Sequence, residues 1–258
     1  MNEMTLLASE NKSSIYGPNQ LSSLNLLRIP SHIALIPDGN RRWAKKRASQ
    51  SEKGHQEGAD RLLTMIRACQ EIGIRSVTVY SFSTENWSRS QEEIEALMVI
   101  YANYLLNNCE EMVQRGIKLE TIGDLSRLPP QLRQIITETK AATHHCTEIN
   151  LILALNYGSR DELCRTFKIM AEDMKRGQLL TSDITEEAIS SYLDTAEWGD
   201  PELLIRTSGE QRLSNFLSWQ LCYAEIYISQ VLWPDFTPYH LLEAIIDYQS
   251  RDRRWGGA

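Results

Sequence analysis

The sequence lacks the patterns that mark several common classes of protein. Its five cysteines include no Cys-x-x-Cys pair and no spacing typical of a zinc site. It has no P-loop motif, and no Gly-x-Gly-x-x-Gly follows the first predicted strand, so a P-loop kinase and a dinucleotide-binding enzyme are both disfavoured. No apolar run approaches the roughly 20 residues that a membrane-spanning helix needs.

The chain also lacks an excess of positive charge. Its 258 residues carry a formal net charge of -7, so nucleic acid is not an expected partner. The odd number of cysteines favours the reducing cytoplasm, as does an N-terminus without a basic segment followed by a long apolar one. Apolar residues make up 42%, which is enough for a substantial core in one large α/β domain or two small ones.

What the sequence does contain is a regular alternation of strand-like and helix-like segments. Apolar or β-branched runs, typical of buried parallel strands, occur over residues 33–36, 76–82, 117–123, 149–155, 203–205 and 225–229. No internal repeat or linker interrupts the pattern. The sequence predicts a single α/β domain over residues 28–258, with a mostly parallel sheet of about six strands, and a poorly ordered tail over residues 1–27.

Helix starts are indicated by capping residues. Ser90 with Glu93, and Ser159 with Glu162, each match a capping box. A polar loop is expected over residues 48–54. The first predicted helix begins at Arg41, and another begins at residue 130. Further helices are predicted over residues 55–72, 90–115, 159–177, 186–193 and 239–253.

The stretch from His32 to Trp43 combines groups that suit an anion. A short apolar strand ends at Pro37, and Asn40 is positioned to cap the basic helix that follows. Asp38 would then lie beside a helix N-terminus and two guanidiniums, an arrangement that fits a phosphate bridged to a divalent metal. From this stretch alone, an ordinary turn before a solvated basic helix is equally well supported.

Polar loops follow three of the predicted strands. Because ligands of open parallel sheets bind beyond the carboxyl ends of the strands, these loops are candidate binding segments. Four arginines among them suggest two anionic groups, since the guanidinium fork binds phosphate oxygens in pairs. The loops supply Asp38, Asn40, Arg42, Ser83, Glu85, Asn86, Arg89, Arg206, Arg212 and Ser214.

Several longer motifs occur together and in a fixed order. The sequence resembles the cis-prenyltransferases, and most closely the bacterial undecaprenyl diphosphate synthases, from about Ser31 to Gly257. The resemblance lies in the segment from Asp38 to Trp43, the Gly54-His55 pair, SFSTENWSR, LLIRTSGEQRLSNFLSWQLCYAEIY and LWPDF.

The resemblance implies a six-stranded parallel sheet, a hydrophobic tunnel and a homodimer. It implies a Mg²⁺-dependent enzyme that adds isopentenyl diphosphate repeatedly to an allylic diphosphate, usually farnesyl diphosphate, forming a new Z double bond each time. The expected product is a long polyprenyl diphosphate such as undecaprenyl diphosphate, a lipid carrier for cell-wall glycans. Transient association of this cytoplasmic protein with the inner membrane face is expected at product release.

The resemblance also implies roles for individual residues. Asp38 and Glu225 would hold magnesium, and Asn86 with Ser83 would assist proton removal, although a phosphate oxygen is an alternative base. Trp87 would pack against the allylic chain, while Arg206, Arg212 and Ser214 would hold isopentenyl diphosphate. The remaining predicted substrate-binding residues are Gly39, Asn40, Arg41, Arg42, Trp43, Ser51, His55, Thr84, Glu85, Arg89 and Leu213.

The sequence departs from the family pattern at Pro37, Arg41, Ser51 and Gln211. Two other functions are alternatives to a transferase. A non-catalytic partner subunit would be expected to lose its metal carboxylates and diphosphate arginines, which are all present here. A phosphatase using Asp38 as nucleophile would want a second aspartate two residues later, where Asn40 stands.

Overall fold

The computed structural model describes residues 14–252, and its centre is one sheet of six parallel strands. The strands lie in the order β3-β4-β2-β1-β5-β6, so the predicted parallel sheet is confirmed. Their bounds are β1 His32–Ile36, β2 Ser76–Ser83, β3 Ile117–Ile122, β4 Ile149–Tyr157, β5 Leu203–Arg206 and β6 Glu225–Ile228.

Eight helices connect and cover these strands within the described residues. None of them has a stretch long and apolar enough to span a bilayer. Their bounds are α1 Pro18–Leu21, α2 Asn40–Lys46, α3 Ser51–Glu71, α4 Gln91–Arg115, α5 Pro130–Thr143, α6 Ser159–Lys175, α7 Glu186–Tyr192 and α8 Pro238–Ser250.

The sheet has apolar side chains on both faces, which explains the nearly continuous apolar runs of its strands. Because successive side chains point to opposite faces, Ile33 and Leu35 of β1 join the larger core with α3, α4, α5 and α8, whereas Ala34 and Ile36 join a smaller one. Phe216 and Leu217, from the segment after β5, close this smaller core.

Two helix starts differ from the prediction. Gly39, with φ of 109°, is the residue before α2, so Asn40 begins that helix instead of capping it. Helix α3 begins at Ser51, which leaves only residues 47–50 as the connection predicted over residues 48–54. Both glycine and asparagine satisfy the local pattern for a cap, and the left-handed backbone at Gly39 favours glycine.

Of the two predicted capping boxes, the one at Ser90 is half right and the one at Ser159 is wrong. Ser90 accepts a hydrogen bond from the Glu93 N–H over 3.3 Å, but the Glu93 carboxylate turns to Arg89 instead. Ser159 lies inside α6, after Gly158, and Glu162 is fully buried. Both carboxylates bind other partners: Glu93 accepts from Arg89, and Glu162 accepts from the Tyr157 hydroxyl and the Gln220 amide.

Residues 14–27, which belong to the tail predicted over residues 1–27, make contacts with the domain. The Ile15 N–H donates to Glu71 Oε2 over 2.8 Å, and Tyr16 is buried in the larger core. Tyr16 also donates its hydroxyl to the Pro238 carbonyl, which attaches this segment to α8. Residues 1–13 and 253–258 lie outside the described residues.

Candidate functional site

A cavity of about 870 Å³ opens at the carboxyl ends of β1, β2 and β5, where ligands of parallel sheets bind. Its mouth is polar, and its depth is lined by apolar residues of β2, β4, α3 and α4. The structure brings the following predicted residues to its wall: Asp38, Gly39, Asn40, Arg41, Arg42, His55, Ser83, Glu85, Asn86, Arg89, Arg206, Arg212 and Ser214.

Asp38 is held at the mouth by two guanidiniums. Its Oδ2 accepts from Arg206 over 2.9 Å, and Arg42 lies 3.5 Å from Oδ1. Burial opposes ionisation of this carboxyl group. The hydrogen bond from Arg206 and the charges of both arginines outweigh that effect, so the pKa of Asp38 lies below its usual value. Asp38 is therefore a carboxylate at neutral pH.

Arg206 is the buried cation of the site, with only 4% of its side chain exposed. It is the last residue of β5 and donates to Ser214 Oγ over 3.0 Å as well as to Asp38. Its Nε is buried and has no partner among the described residues. An uncompensated N–H of this kind is costly, and an anion entering the cavity is a natural partner for it.

Glu210 joins two further arginines and was not expected from the sequence. Its Oε1 lies 3.2 Å from Arg42, while its Oε2 accepts a hydrogen bond from Arg212. Arg42 also donates to the Ser208 carbonyl over 3.1 Å. The guanidiniums predicted for two substrates are therefore connected through one carboxylate. Nothing in the sequence spacing distinguishes Glu210 from a solvated acid.

Glu93 organises the opposite side of the mouth, and it too was missed because its position matched a capping box. A single oxygen, Oε1, lies 2.9 Å from Arg89, 3.4 Å from His55 and 3.9 Å from Arg41. Burial and the Arg89 charge lower the pKa of His55 more than Glu93 raises it. At neutral pH His55 is a neutral ring among cations.

Close packing of α3 on α2 brings His55 to Asn40. A Cβ at Gly54 would lie 2.2 Å from the Asn40 carbonyl, and one at Gly58 would lie 2.7 Å from Asn40 Oδ1. These glycines let the two helices approach so that the Asn40 amide lies 3.5 Å from His55 Nδ1. The Gly-His pair seen in the sequence thus has a steric reason.

The 3₁₀ turn Thr84–Ser88 follows β2 and forms the third side of the mouth. The Ser83 N–H donates to Asn86 Oδ1 over 3.0 Å, which holds both residues at the cavity wall. The Asn86 oxygen predicted to assist proton removal is therefore already engaged by the backbone.

Trp87 is not on the cavity wall. Its indole N–H donates to Asn156 Oδ1 over 2.7 Å, its ring packs edge-on against Phe82, and the Arg127 guanidinium lies 4.3 Å from the ring centroid. These contacts anchor the turn from behind. The contact of Trp87 with the allylic chain stays a prediction, and the structure places Trp87 behind the turn and off the cavity wall.

Other predicted residues also lie off the wall. Trp43 is buried and donates to Asp235 over 2.8 Å, and Ser51 is at the start of α3. The remaining residues that do not line the cavity are Thr84 and Leu213. The residues on either side of Thr84 and Leu213 do line the cavity, because successive side chains along an extended chain point in different directions; these are Ser83, Glu85, Arg212 and Ser214.

Glu225 lies at the amino end of β6, so it is at the opposite end of the strands from Asp38 and cannot share an ion with it. It pairs with Leu203 at the start of β5, and Leu203 pairs with Ile33, five residues before Asp38. At ~3.3 Å per strand residue the separation is on the order of 15 Å. The Glu225 carboxylate instead accepts from Arg251 over 2.7 Å. The structure therefore does not bring the predicted metal ligands Asp38 and Glu225 together within one chain.

A magnesium site that depends on Asp38 alone does fit. No cluster of three or more His, Cys, Asp or Glu side chains in the described part of the chain is placed to hold a metal. Mg²⁺ is commonly bound by one or two carboxylates together with substrate phosphates and water. Asp38 is ionised, lines the cavity and has 31% of its side chain exposed, which suits that role.

Comparisons with known proteins agree with this architecture. Residues 36–256 match a family model described as "Putative undecaprenyl diphosphate synthase". The chain is 46% identical over 230 residues to an isoprenyl transferase of Clostridium perfringens, covering 89% of this chain and 91% of that one. It is 42% identical over 236 residues to the ditrans,polycis-undecaprenyl-diphosphate synthase ((2E,6E)-farnesyl-diphosphate specific) of Micrococcus luteus, covering 92% and 95%.

A solved structure has the same fold. Lavandulyl diphosphate synthase from Lavandula x intermedia, crystallised with dimethylallyl diphosphate, superposes with a TM-score of 0.88 at 36% identity, covering 90% of this chain and 100% of that one. The range matched by the family model, residues 36–256, includes every strand end that forms the cavity. The chain therefore belongs to the undecaprenyl diphosphate synthase family of cis-prenyltransferases, which confirms the resemblance carried by its motifs.

Proposed function

We propose that this protein condenses isopentenyl diphosphate repeatedly with an allylic diphosphate, of which farnesyl diphosphate is the expected primer, to make undecaprenyl diphosphate. The observation that carries the proposal is the joint presence of five guanidiniums at the mouth of one cavity whose depth is apolar, those of Arg41, Arg42, Arg89, Arg206 and Arg212. Two diphosphates supply the negative charge for such a mouth, and a growing hydrocarbon chain suits the depth.

Each side of the mouth would hold one substrate. On the allylic side, the N–H groups at the start of α2 with Arg41 and Arg42 would bind the leaving diphosphate. On the other side, Arg206, Arg212 and Ser214 would bind isopentenyl diphosphate. Holding the two reactive carbons in contact converts a bimolecular reaction into an intramolecular one.

Asp38 would orient the leaving group through magnesium. When bound, the ion would neutralise the negative charge that develops on the departing diphosphate. Arg206 and Arg42, which pair with Asp38 here, would turn to phosphate oxygens when substrate enters. Since the Asn86 oxygen accepts the Ser83 N–H, a diphosphate oxygen is the better candidate to receive the homoallylic proton.

The same proposal covers product and assembly. The cavity walls contributed by α3 and α4 would extend into the predicted tunnel, and the exposed strand β6 would form a homodimer contact. A long polyprenyl product needs an apolar phase to receive it, so transient contact with the inner membrane face at release is part of the proposal.

Incubation with farnesyl diphosphate, labelled isopentenyl diphosphate and Mg²⁺, followed by reverse-phase analysis, tests the activity. We expect Z-polyprenyl diphosphates with undecaprenyl diphosphate as the main product. Asp38→Asn should lower turnover by about 10²-fold or more, because the carboxylate for the ion is lost while the shape is kept. Asp60→Asn, an exposed site on α3, is the matched control.

The alternatives give different results in the same assay. A phosphatase would release phosphate from farnesyl diphosphate without elongation, and a non-catalytic subunit would turn over neither substrate. If the wild-type protein elongates farnesyl diphosphate and Asp38→Asn does so at a near-normal rate, the activity is supported but Asp38 is not the magnesium ligand.

A further inference from the structure

Asn215 links two loops at the cavity mouth. Its side-chain N–H donates to Glu85 Oε1 over 2.8 Å, and Glu85 belongs to the turn after β2. Its carbonyl accepts from the Ser159 N–H over 2.8 Å, and its Oδ1 accepts from the Arg160 N–H over 3.0 Å. One residue thus attaches the segment after β5 both to the turn after β2 and to the start of α6.

The backbone around Asn215 is held in a left-handed conformation. Ser214, Asn215 and Leu217 have φ of 54°, 63° and 45°, which non-glycine residues adopt only when surrounding contacts impose it. Asparagine tolerates this conformation better than most residues. The position of Ser214, which accepts from Arg206, therefore depends on the bonds that its neighbour makes.

Gly158 makes room for the Asn215 amide. A Cβ at Gly158 would lie 2.7 Å from Asn215 Nδ2 and 2.6 Å from Thr84 Oγ1. Real side chains do not approach so closely, so any residue larger than glycine here would push the amide away from Glu85. This is a second observation, independent of the hydrogen bonds, that the contact is built into the fold.

We propose that Asn215 is a positioning residue that sets the relative placement of the two substrates. The inference rests on the proposed function, because it assigns Ser214 and Arg212 to isopentenyl diphosphate and the turn after β2 to the reacting end of the allylic substrate. Asn215 acts through Glu85 and Ser214. A displacement of about 1 Å between reacting groups lowers rates by as much as ~10²-fold.

The substitution Asn215→Asp tests this with little change in shape. The new carboxylate still accepts from the Arg160 N–H, but it repels Glu85 instead of donating to it. We expect kcat/KM for isopentenyl diphosphate to fall by 10-fold or more at saturating farnesyl diphosphate, with cooperative thermal unfolding retained. Asn107→Asp, the same change at an exposed site on α4, should leave both unchanged.

A double-mutant cycle separates positioning from a purely structural role. In a Glu85→Gln background, Asn215→Asp exchanges donor and acceptor and restores the hydrogen bond. We therefore expect Asn215→Asp to cost about 3-fold or less in that background, although Glu85→Gln alone lowers activity. An equal cost of Asn215→Asp in both backgrounds would overturn the proposal.

Gly158→Ala provides a test in which residue 215 is still asparagine but its amide is displaced from Glu85. We expect it to lower kcat/KM for isopentenyl diphosphate, as Asn215→Asp does. If Asn215→Asp does not unfold cooperatively, the kinetics of Gly158→Ala decide whether Asn215 positions the substrates. Wild-type kinetics in Gly158→Ala or in Asn215→Asp would refute positioning by Asn215. A wild-type enzyme that elongates nothing would instead refute the proposed function, so the two failures are distinguishable.

Discussion

His32 shows at the residue scale how burial makes one side chain responsive to pH. Its ring nitrogens lie 2.9 Å from the Gly199 carbonyl and 2.8 Å from Thr78 Oγ1, and only 3% of the residue is exposed. Burial lowers its pKa to about 4, although the Gly199 carbonyl and Glu202 oppose the shift. The folded protein therefore favours the neutral ring.

We expect the stability of the protein to fall as the pH drops from about 6.5 towards 4. Because the folded pKa is depressed, the contribution of His32 is fully present above the unfolded pKa and is lost as protons bind, by up to roughly 3 kcal/mol. Urea unfolding at several pH values measures this. His32→Gln should flatten the slope in that window, and His144→Gln, an exposed control, should not. An unchanged slope in His32→Gln would contradict the assignment.

At the same scale, the sequence placed Asp38 and the arginines in segments at or after strand ends, and the structure brings them to one cavity wall because the carboxyl ends of parallel strands meet there. Glu93 and Glu210 were missed because their roles depend on which guanidiniums fold next to them. Glu225 was paired with Asp38 on the family resemblance alone, although as the first residue of a parallel strand it lies at the end of the sheet opposite to the cavity.

At the scale of one element, α4 forms an apolar cavity wall that contains two hydroxyls. Tyr101 donates to the Ser81 carbonyl over 2.5 Å, whereas the Tyr104 hydroxyl is buried without a partner among the described residues. Both side chains line the cavity. A buried hydroxyl that makes no hydrogen bond lowers stability, and one that makes a good bond raises it.

The two tyrosines should therefore respond oppositely to the same change. We expect Tyr104→Phe to keep or increase the free energy of unfolding by up to about 1 kcal/mol, and Tyr101→Phe to lower it by about 1 kcal/mol. Chemical denaturation of the two variants beside wild type measures the difference. A larger loss in Tyr104→Phe than in Tyr101→Phe would show that the Tyr104 hydroxyl has a partner after all.

At the scale of the whole molecule, β6 is an edge strand with no further strand beside it within the described residues, although the Ile226 carbonyl accepts a hydrogen bond from Arg251 over 3.0 Å. Ile226 on this strand is 44% exposed. Exposed apolar edge strands are usually covered, since their free backbone groups pair readily with another chain. We propose that a second copy of this chain covers β6, which would form the homodimer that the family resemblance implies.

Sedimentation velocity tests this assembly. We expect a dimer for the wild type and a shift to monomer for Ile226→Lys, because a charge at the centre of the contact is not compensated. Ile169→Lys, at an equally exposed site on α6, should remain dimeric. A monomeric wild type would reject the homodimer, and a dimeric Ile226→Lys would place the contact elsewhere.

The sequence by itself determined the alternation of strands and helices, the parallel sheet and the loops that carry the arginines. These features follow from apolar periodicity and from residues adjacent in the chain, such as Pro37 and Asp38 at the end of β1. Only the tertiary structure decided which side chains meet across the mouth, that Trp87 turns to Asn156, and that Glu225 binds Arg251. Those outcomes depend on strand register and on packing between residues distant in sequence, and no local pattern records either.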